Sequence, residues 1–186
     1  MWKGKNVTVF VTGGIAAFKA ATLVRLFVKA GANVEVAMTK SACEFITPLT
    51  FQVLTKNKVH IDTFDEDEAN KVQHIHLADQ TDVAIVVPAT ANTIAKMANG
   101  IADNFVTSTL LATTAPIYVV PAMNEHMWEN PATVRNVKQL VEDGKSVIEP
   151  ATGFLAEGYT GKGRLPEPEE IFEQITFLES KRVSKS

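Results

Sequence analysis

The chain has 186 residues, 46% of them hydrophobic, and its 18 basic and 21 acidic side chains give a net charge of −3. This length suits one well-buried domain and is too short for two ordinary ones, and the apolar fraction argues against a disordered chain. The weakly acidic balance gives no indication of nucleic acid or an anionic membrane as a partner. No apolar run approaches the roughly 18 residues of a membrane span.

The single cysteine, Cys43, excludes an intramolecular disulfide and a multi-cysteine metal site. The first residues run directly into a strand pattern, without the apolar region and cleavage site of a signal peptide. We therefore expect one cytoplasmic domain over residues 1–180 and a frayed basic tail at 181–186.

The first half of the chain alternates strand and helix patterns. A β-branched run at Asn6–Val11 predicts a strand buried on both faces. Apolar side chains at helical spacing predict a helix over residues 15–30 that ends at Gly31, and Asn33–Met38 predicts a second strand. This strand–helix–strand order is typical of the start of a doubly wound α/β sheet.

The same pattern continues to the end of the chain. Strands are predicted at 83–87, 117–120 and 146–148, and helices at 91–99, 102–112, 131–143 and 168–180. Residues 152–168 are rich in glycine and proline and predict a long loop, of the kind that often serves as a lid. The sequence thus predicts a single-domain α/β fold, a doubly wound parallel sheet of Rossmann-like type.

Three segments follow predicted strand ends: residues 12–15, 88–93 and 121–124. Ligands bind at this edge of open parallel sheets, and helix starts there offer N–H groups suited to a phosphate. The pair Gly13-Gly14 lacks the third glycine of a GxGxxG fingerprint, so a standard NAD site is rejected. By itself the pair fits a tight turn as well as a phosphate cradle, and the polar side chains at 90–93 fit helix caps equally well.

The four histidines show no metal-ligand pattern. His74 and His76 lie two residues apart, just before a predicted helix, and therefore do not share a helical face. No cysteine or second carboxylate lies nearby in sequence to complete a zinc site. From the residues alone we interpret these two, and also His60 and His126, as surface, capping or structural groups, and we expect no bound metal.

Residues 121–128, PAMNEHMW, fit the PxMNxxMW motif of the homo-oligomeric flavin-containing cysteine decarboxylases. The chain also resembles this family at TGGIAAFK from residue 12, HIHLA from 74, PATANTIAK from 88 and GIADN from 100. The matches follow the family's order and cover essentially the whole chain. Within the family the pattern is most similar to the phosphopantothenoylcysteine decarboxylases, in the form that is not fused to a ligase. A flavin prenyltransferase fits the first of these motifs less well.

The resemblance implies an FMN-dependent lyase that converts 4′-phosphopantothenoylcysteine to 4′-phosphopantetheine in coenzyme A biosynthesis. FMN would lie across the strand ends, against the residues that match the family's cofactor positions: Gly14, Thr39, Thr90, Ala91, Asn92, Thr93 and Ala122. The resemblance also implies a homotrimer or a dodecamer built from trimers, with no nucleic acid or membrane partner.

Roles for other residues are likewise implied by the resemblance. His74 would be the base that assists oxidation of the cysteinyl thiol, and Asn124 would hold the substrate carboxylate beside Met123. Lys162 or Arg164 would meet a substrate phosphate, unless both are solvated loop charges.

The late glycine-rich segment departs from the family pattern. The family reads LACGxxGxGRM, whereas residues 155–165 read LAEGYTGKGRL, so Glu157 replaces the cysteine that serves the closing reduction. Glu157 could deliver the proton itself if burial raises the pKa of its carboxyl group. Alternatively, the enzyme stops after oxidative decarboxylation and releases an enethiol, as the relatives that act on peptidyl C-terminal cysteines do, or the chain is a non-catalytic regulatory flavoprotein. The three interpretations stay open at this point.

Overall fold

A computed structural model of the chain, which describes residues 1–64, 72–156 and 158–184, contains a six-stranded parallel sheet. Its strands are β1 (Asn6–Val11), β2 (Asn33–Met38), β3 (Val59–His60), β4 (Val83–Ala89), β5 (Ile117–Pro121) and β6 (Ser146–Val147). Their spatial order is β3-β2-β1-β4-β5-β6, so the order reverses between β1 and β4. This is the doubly wound Rossmann order, and the predicted fold class is confirmed.

Helices cover both faces of the sheet. They are α1 (Ala17–Lys29), α2 (Lys40–Cys43), α3 (Pro48–Thr55), α4 (Gln73–Gln80), α5 (Ala91–Ala98), α6 (Phe105–Ala112), α7 (Glu125–Glu129), α8 (Pro131–Glu142) and α9 (Pro168–Val183). Helices α1, α3 and α9 pack on one face, and α4, α5, α6 and α8 pack on the other. None of the helices in these ranges is long and apolar enough to cross a membrane.

Strand β1 illustrates why a strand buried on both faces can be recognised in the sequence. Val7, Val9 and Val11 point into one buried cluster, whereas Phe10 points into the other, so both faces of the strand are apolar. Each such side chain contributes roughly 1.5–3 kcal/mol when fully buried. The buried strands therefore fix the sheet, and the polar segments remain at its edge.

The loop predicted at 152–168 is wrong over about half of its length. It contains an antiparallel hairpin of β7 (Ala151–Phe154) and β8 (Thr160–Arg164). In β8 the inward positions are Gly161 and Gly163, which carry no apolar side chain. The alternation that identifies a strand was therefore invisible in the sequence.

Helix α4 also differs from the prediction. His74 and His76 lie inside its first turn, not before it. Their spacing still places them about 200° apart around the helix axis, so they occupy different faces as expected. At the end of the chain, α9 continues past the predicted end at residue 180 to Val183, because Arg182 in its last turn pairs with Glu179.

Candidate functional site

A cleft of about 490 Å³ opens at the carboxyl ends of the strands. It is lined by Gly13, Thr39, Lys40, Ser41, Ile61, Asp62, Thr63, Phe64, Thr90, Asn92, Thr93, Lys96, Asp103, Asn104 and Phe105. These residues follow β1, β2, β3 and β4 and include the start of α6. The cleft thus lies where the strand order reverses, which is the position of ligand sites in doubly wound sheets.

Thr12 fixes the floor of the cleft. Its buried hydroxyl donates a hydrogen bond to the Pro88 carbonyl at 2.6 Å and accepts one from the Thr90 N–H at 3.1 Å. These bonds join the end of β1 to the end of β4. Because the polar groups satisfy each other, the two loops keep a fixed separation.

The two glycines after Thr12 have different roles. A Cβ on Gly13 would lie 2.5 Å from the Ser41 Cβ, so only glycine allows the loops after β1 and β2 to approach this closely. A Cβ on Gly14 would meet nothing nearer than the Thr90 Cγ2, at 3.9 Å. Packing therefore requires the first glycine, whereas the second leaves its backbone accessible beside Thr90.

Helix α5 begins at the cleft. Thr90 is its N-cap, and the hydroxyl accepts a hydrogen bond from the Thr93 N–H at 3.2 Å. Asn92 follows on the exposed side and lines the cleft. The first N–H groups of a helix have no intrahelical acceptor, so this end offers donors to a ligand oxygen. Across the cleft, Thr39 caps α2 in the same way through Ala42.

An ion pair lies in the opposite wall. Lys96 Nζ is 2.8 and 2.6 Å from the two carboxylate oxygens of Asp103. The hydrogen bond from this ammonium lowers the pKa of the Asp103 carboxyl group. Asn104, the next residue, caps α6 in a reciprocal arrangement with Thr107. The ion pair and the cap together fix the loop that carries Asp103 to the start of α6.

His74 lies close to this wall. Its ring meets Phe105 edge to face, with centroids 6.4 Å apart, and its Nδ1 is buried with no hydrogen-bond partner in the described part of the chain. The His60 ring stacks on the same Phe105 at 5.0 Å and pairs with Glu35 at 3.5 Å. Phe105 lines the cleft, and His74 contacts Phe105, so His74 lies directly behind a residue of the cleft wall. An orphaned buried nitrogen of this kind calls for a ligand or a proton-transfer role.

A second group of residues gathers where β5 ends. The Met123 N–H donates to the Gly163 carbonyl at 3.0 Å, and the Lys162 N–H donates to Glu125 Oε1 at 2.9 Å. The β7–β8 hairpin is thereby attached to the segment that carries Asn124. This attachment brings together the segment of residues 121–124 and the glycine-rich segment, which are distant in the sequence.

Asn124 has a defined amide orientation. Its Oδ1 accepts a hydrogen bond from the His126 N–H at 2.9 Å, which makes it the N-cap of α7. Its Nδ2 donates to the Tyr159 hydroxyl at the tip of the hairpin, also at 2.9 Å. The cap bond assigns oxygen and nitrogen of this amide, so the donor side faces the hairpin.

The two hairpin cations are already paired. Lys162 Nζ lies 2.6 Å from Glu149, and Arg164 lies 2.6 Å from Glu167. Glu167 also pairs with Lys19 at 2.9 Å, and this ammonium, followed by Arg164, lowers the pKa of its carboxyl group. Exposed pairs of this type contribute at most about 1 kcal/mol, so a phosphate can exchange for the carboxylates.

The predicted site residues therefore fall into separate groups. Thr39, Thr90, Asn92 and Thr93 line the cleft, and Gly14, Ala91 and Ala122 lie at the same sheet edge. Within the described part of the chain, no hydrogen bond or ring contact joins His74 to Asn124. Glu157 lies outside the described residues.

Several lining residues were not predicted as site residues. Gly13, Lys96 and Asp103 belong to segments that matched the family pattern, which was the one available signal, whereas Phe105 becomes recognisable only from its neighbours. Burial raises the pKa of the Cys43 thiol, which suits a structural rather than a nucleophilic group. The described residues contain no cluster of three or more metal-ligating side chains.

Residues 1–178 match the Flavoprotein family over nearly the whole chain. The chain belongs to the Flavoprotein family. Among its relatives, the bifunctional coenzyme A biosynthesis protein CoaBC of Bacillus subtilis (strain 168) is 54% identical over 171 residues. That match covers 92% of this chain and 42% of the relative, so the chain spans less than half the length of this bifunctional protein.

Two further matches extend over nearly the full length of the matched proteins. The probable phosphopantothenoylcysteine decarboxylase of Streptococcus mutans serotype c (strain ATCC 700610 / UA159) is 43% identical, and the match covers 92% of this chain and 97% of the relative. The structure of a PPC decarboxylase mutant complexed with pantothenoylaminoethenethiol has a TM-score of 0.85 and 31% identity. It covers 96% of this chain and 100% of that chain.

Proposed function

We propose that this chain binds FMN in the cleft and decarboxylates 4′-phosphopantothenoylcysteine to 4′-phosphopantetheine. The observation that carries the proposal is the attachment of the Asn124 segment to the glycine-rich hairpin, at the same sheet edge as the cleft of a Flavoprotein family fold. The full-length match to a probable phosphopantothenoylcysteine decarboxylase supports this substrate. The names of these relatives do not favour the peptide-acting and regulatory alternatives.

The residues at the cleft fit FMN. Its volume of about 490 Å³ falls in the range of small-molecule sites, roughly 300–1,000 Å³. The open backbone at Gly14 and the N-terminus of α5 offer N–H donors to phosphate and ring oxygens. We propose that Gly14, Thr39, the segment 90–93 and Ala122 hold the cofactor. When bound there, FMN supplies reversible two-electron oxidation of the cysteinyl thiol, which prepares the neighbouring carboxylate for loss as CO₂.

His74 is proposed as the base. Its buried Nδ1 has no acceptor or donor among the residues that the structure describes, so an imidazole nitrogen is free to take the proton that the thiol must lose. The T-shaped contact with Phe105 holds the ring in one orientation. His76 occupies another side of α4 and is given no role.

Asn124 is proposed to orient the substrate carboxylate. One Nδ2 hydrogen is directed to Tyr159, and the other remains to donate to a carboxylate oxygen. A neutral amide orients the anion without the strong ground-state stabilisation that an arginine would give and that would oppose CO₂ loss. Loss of such an oriented donor costs on the order of 10² to 10³ in rate. Met123 lies beside it, and Lys162 or Arg164 is proposed to meet the substrate phosphate.

The assembly is proposed to be a homotrimer, alone or as part of a dodecamer, in the cytoplasm. His74 and Asn124 make no contact within the described chain, which supports a site completed by a second copy. Phe45, Leu49 and Val53 are exposed apolar side chains around α3 and are suited to burial between subunits. Light scattering coupled to gel filtration gives the mass of the assembly and tests this directly.

The experiment that tests the function is mass spectrometry of the product formed from 4′-phosphopantothenoylcysteine by the purified, FMN-loaded protein. We expect a product lighter by CO₂ alone. Loss of CO₂ together with two hydrogens would show that the reaction stops at an enethiol. A flavin-loaded protein that leaves this substrate unchanged would contradict the proposal.

A further inference from the structure

We propose that Tyr159 is a catalytic residue: its phenol delivers the proton that takes the place of CO₂ on the substrate carbon. The inference rests on the proposed function, because it requires Asn124 to hold the departing carboxylate. The observation that carries it is the 2.9 Å hydrogen bond between Asn124 Nδ2 and the Tyr159 hydroxyl. A group that touches the carboxylate anchor also lies close to the carbon that bears the carboxylate.

The direction of this hydrogen bond leaves the phenolic proton available. The Oδ1 of Asn124 is engaged by the His126 N–H, so Nδ2 faces Tyr159 and must be the donor. The Tyr159 oxygen is therefore the acceptor, and its own hydrogen points elsewhere. Among the described residues, the Tyr159 hydroxyl donates no hydrogen bond.

The hairpin holds the tyrosine at a fixed position. The Leu155 N–H donates to the Tyr159 carbonyl at 2.8 Å, and the bond between Met123 and Gly163 attaches β8 to the Asn124 segment. About a third of the Tyr159 surface, 36%, remains exposed. The phenol is thus positioned against the anchor, yet it is open to substrate on one side and to water that can restore its proton.

The chemistry of decarboxylation requires one such proton. The bond between the substrate carbon and the carboxylate breaks, and its electron pair remains on carbon as CO₂ leaves. The Tyr159 O–H bond then breaks and a C–H bond forms at that carbon, so a phenolate remains, and water returns a proton to it. This step involves no net oxidation or reduction, since the electrons taken from the thiol carbon are returned in the separate flavin step.

The competing donor is Glu157, at the position where the family has cysteine. Three variants separate the two: Tyr159→Phe, Glu157→Gln and, as a matched control, Tyr118→Phe. The control removes the hydroxyl of the other tyrosine, which is buried and donates to Glu179 on α9. Each FMN-loaded protein is mixed with 4′-phosphopantothenoylcysteine under anaerobic conditions. CO₂, product mass and flavin absorbance are then recorded.

For Tyr159→Phe we expect the ratio of saturated thiol to enethiol to fall about 10²-fold, the contribution typical of a general acid. Decarboxylation in the first turnover persists, and CO₂ release then stops near one equivalent per flavin because the flavin remains reduced. Tyr118→Phe and Glu157→Gln are expected to form the saturated thiol. A merely positional role of Tyr159 through Asn124 would instead reduce first-turnover CO₂ release.

Besides a loss of first-turnover CO₂ release in Tyr159→Phe, two results overturn the inference. If Tyr159→Phe forms saturated thiol as efficiently as the control does, or if Glu157→Gln alone accumulates enethiol, the phenol is not the donor. Failure of the proposed function looks different, because the unmodified protein would then release no CO₂ and form no enethiol.

Discussion

The Glu125 carboxylate fills the space that a side chain on Gly161 would need. A Cβ built on this glycine would lie 2.7 Å from Glu125 Oε2 and 2.8 Å from its Cδ. The same carboxylate accepts a hydrogen bond from the Lys162 N–H. Because Gly161 has no side chain, the carboxylate can come close enough to accept this bond. The hairpin is therefore attached to α7 through a contact that depends on glycine.

This contact predicts a ranking between two glycine substitutions. Gly161→Ala displaces the end of a flexible glutamate and loses one hydrogen bond to a charged acceptor. At this half-buried site the free energy of unfolding should fall by at most about 1.5–3 kcal/mol. Gly163→Ala directs its Cβ into the backbone carbonyl of Met123, which cannot rotate away. We expect the second variant to unfold at lower denaturant concentration and to expose the hairpin to limited proteolysis. Equal behaviour of the two variants would contradict the ranking.

Gly14→Ala tests where FMN approaches the protein. A Cβ there has no neighbour within 3.4 Å in the protein itself, so the unfolding midpoint of the apo form should be unchanged. If bound FMN lies against the backbone of this glycine, the added methyl group should raise the FMN dissociation constant about tenfold or more. A loss of about 1.4 kcal/mol of binding free energy has that effect. Flavin fluorescence quenching measures this constant. Gly13→Ala is the comparison, because its Cβ would meet Ser41 and should weaken both folding and FMN binding.

His74→Asn and His76→Asn form a matched pair on one helix. Of these two histidines, His74 contacts Phe105 and has a buried nitrogen without a hydrogen-bond partner among the described residues, and His76 does neither. We expect His74→Asn to lose about 10²-fold or more in kcat, the usual contribution of a general base, while the visible spectrum shows that FMN is retained. His76→Asn should stay within about threefold of the unmodified enzyme, because His76 lies on another side of α4. Similar losses in both variants would remove His74 from the mechanism.

The sequence predicts what is local in this fold and not what the fold brings together. The buried run of β1 and the threonine cap of α5 are readable, because both depend on neighbouring residues and a fixed period. The bond between Asn124 and Tyr159 joins residues 35 positions apart, and no periodicity marks it. Similarly, Gly13 is recognisable as a packing requirement only when Ser41 is placed beside it. The motifs indicated a candidate site, whereas its pairings are seen only in the tertiary structure.

A buried cluster predicts how stability depends on alkaline pH. The Tyr118 hydroxyl donates to Glu179 at 2.6 Å, and Arg182 holds the same carboxylate at 2.9 Å. Burial, followed by the adjacent carboxylate, raises the pKa of Tyr118 above its ordinary value. The folded state therefore retains the phenolic proton in a range where the unfolded state loses it, above about pH 10. The associated stability is fully present below that pH and is lost as pH rises further.

Tyr118→Phe isolates this effect. Near neutral pH the variant should be less stable by about 1 kcal/mol, because one hydrogen bond is lost while Glu179 keeps its bonds to Arg182. Above about pH 10 the unmodified protein should lose roughly 1.4 kcal/mol per pH unit more than the variant, so the difference narrows and then reverses. Urea unfolding at several pH values on both sides of this point measures the two slopes. Parallel slopes would mean that Tyr118 ionises equally easily in the folded and unfolded chains, and the buried bond to Glu179 would then not determine the alkaline limit of this fold.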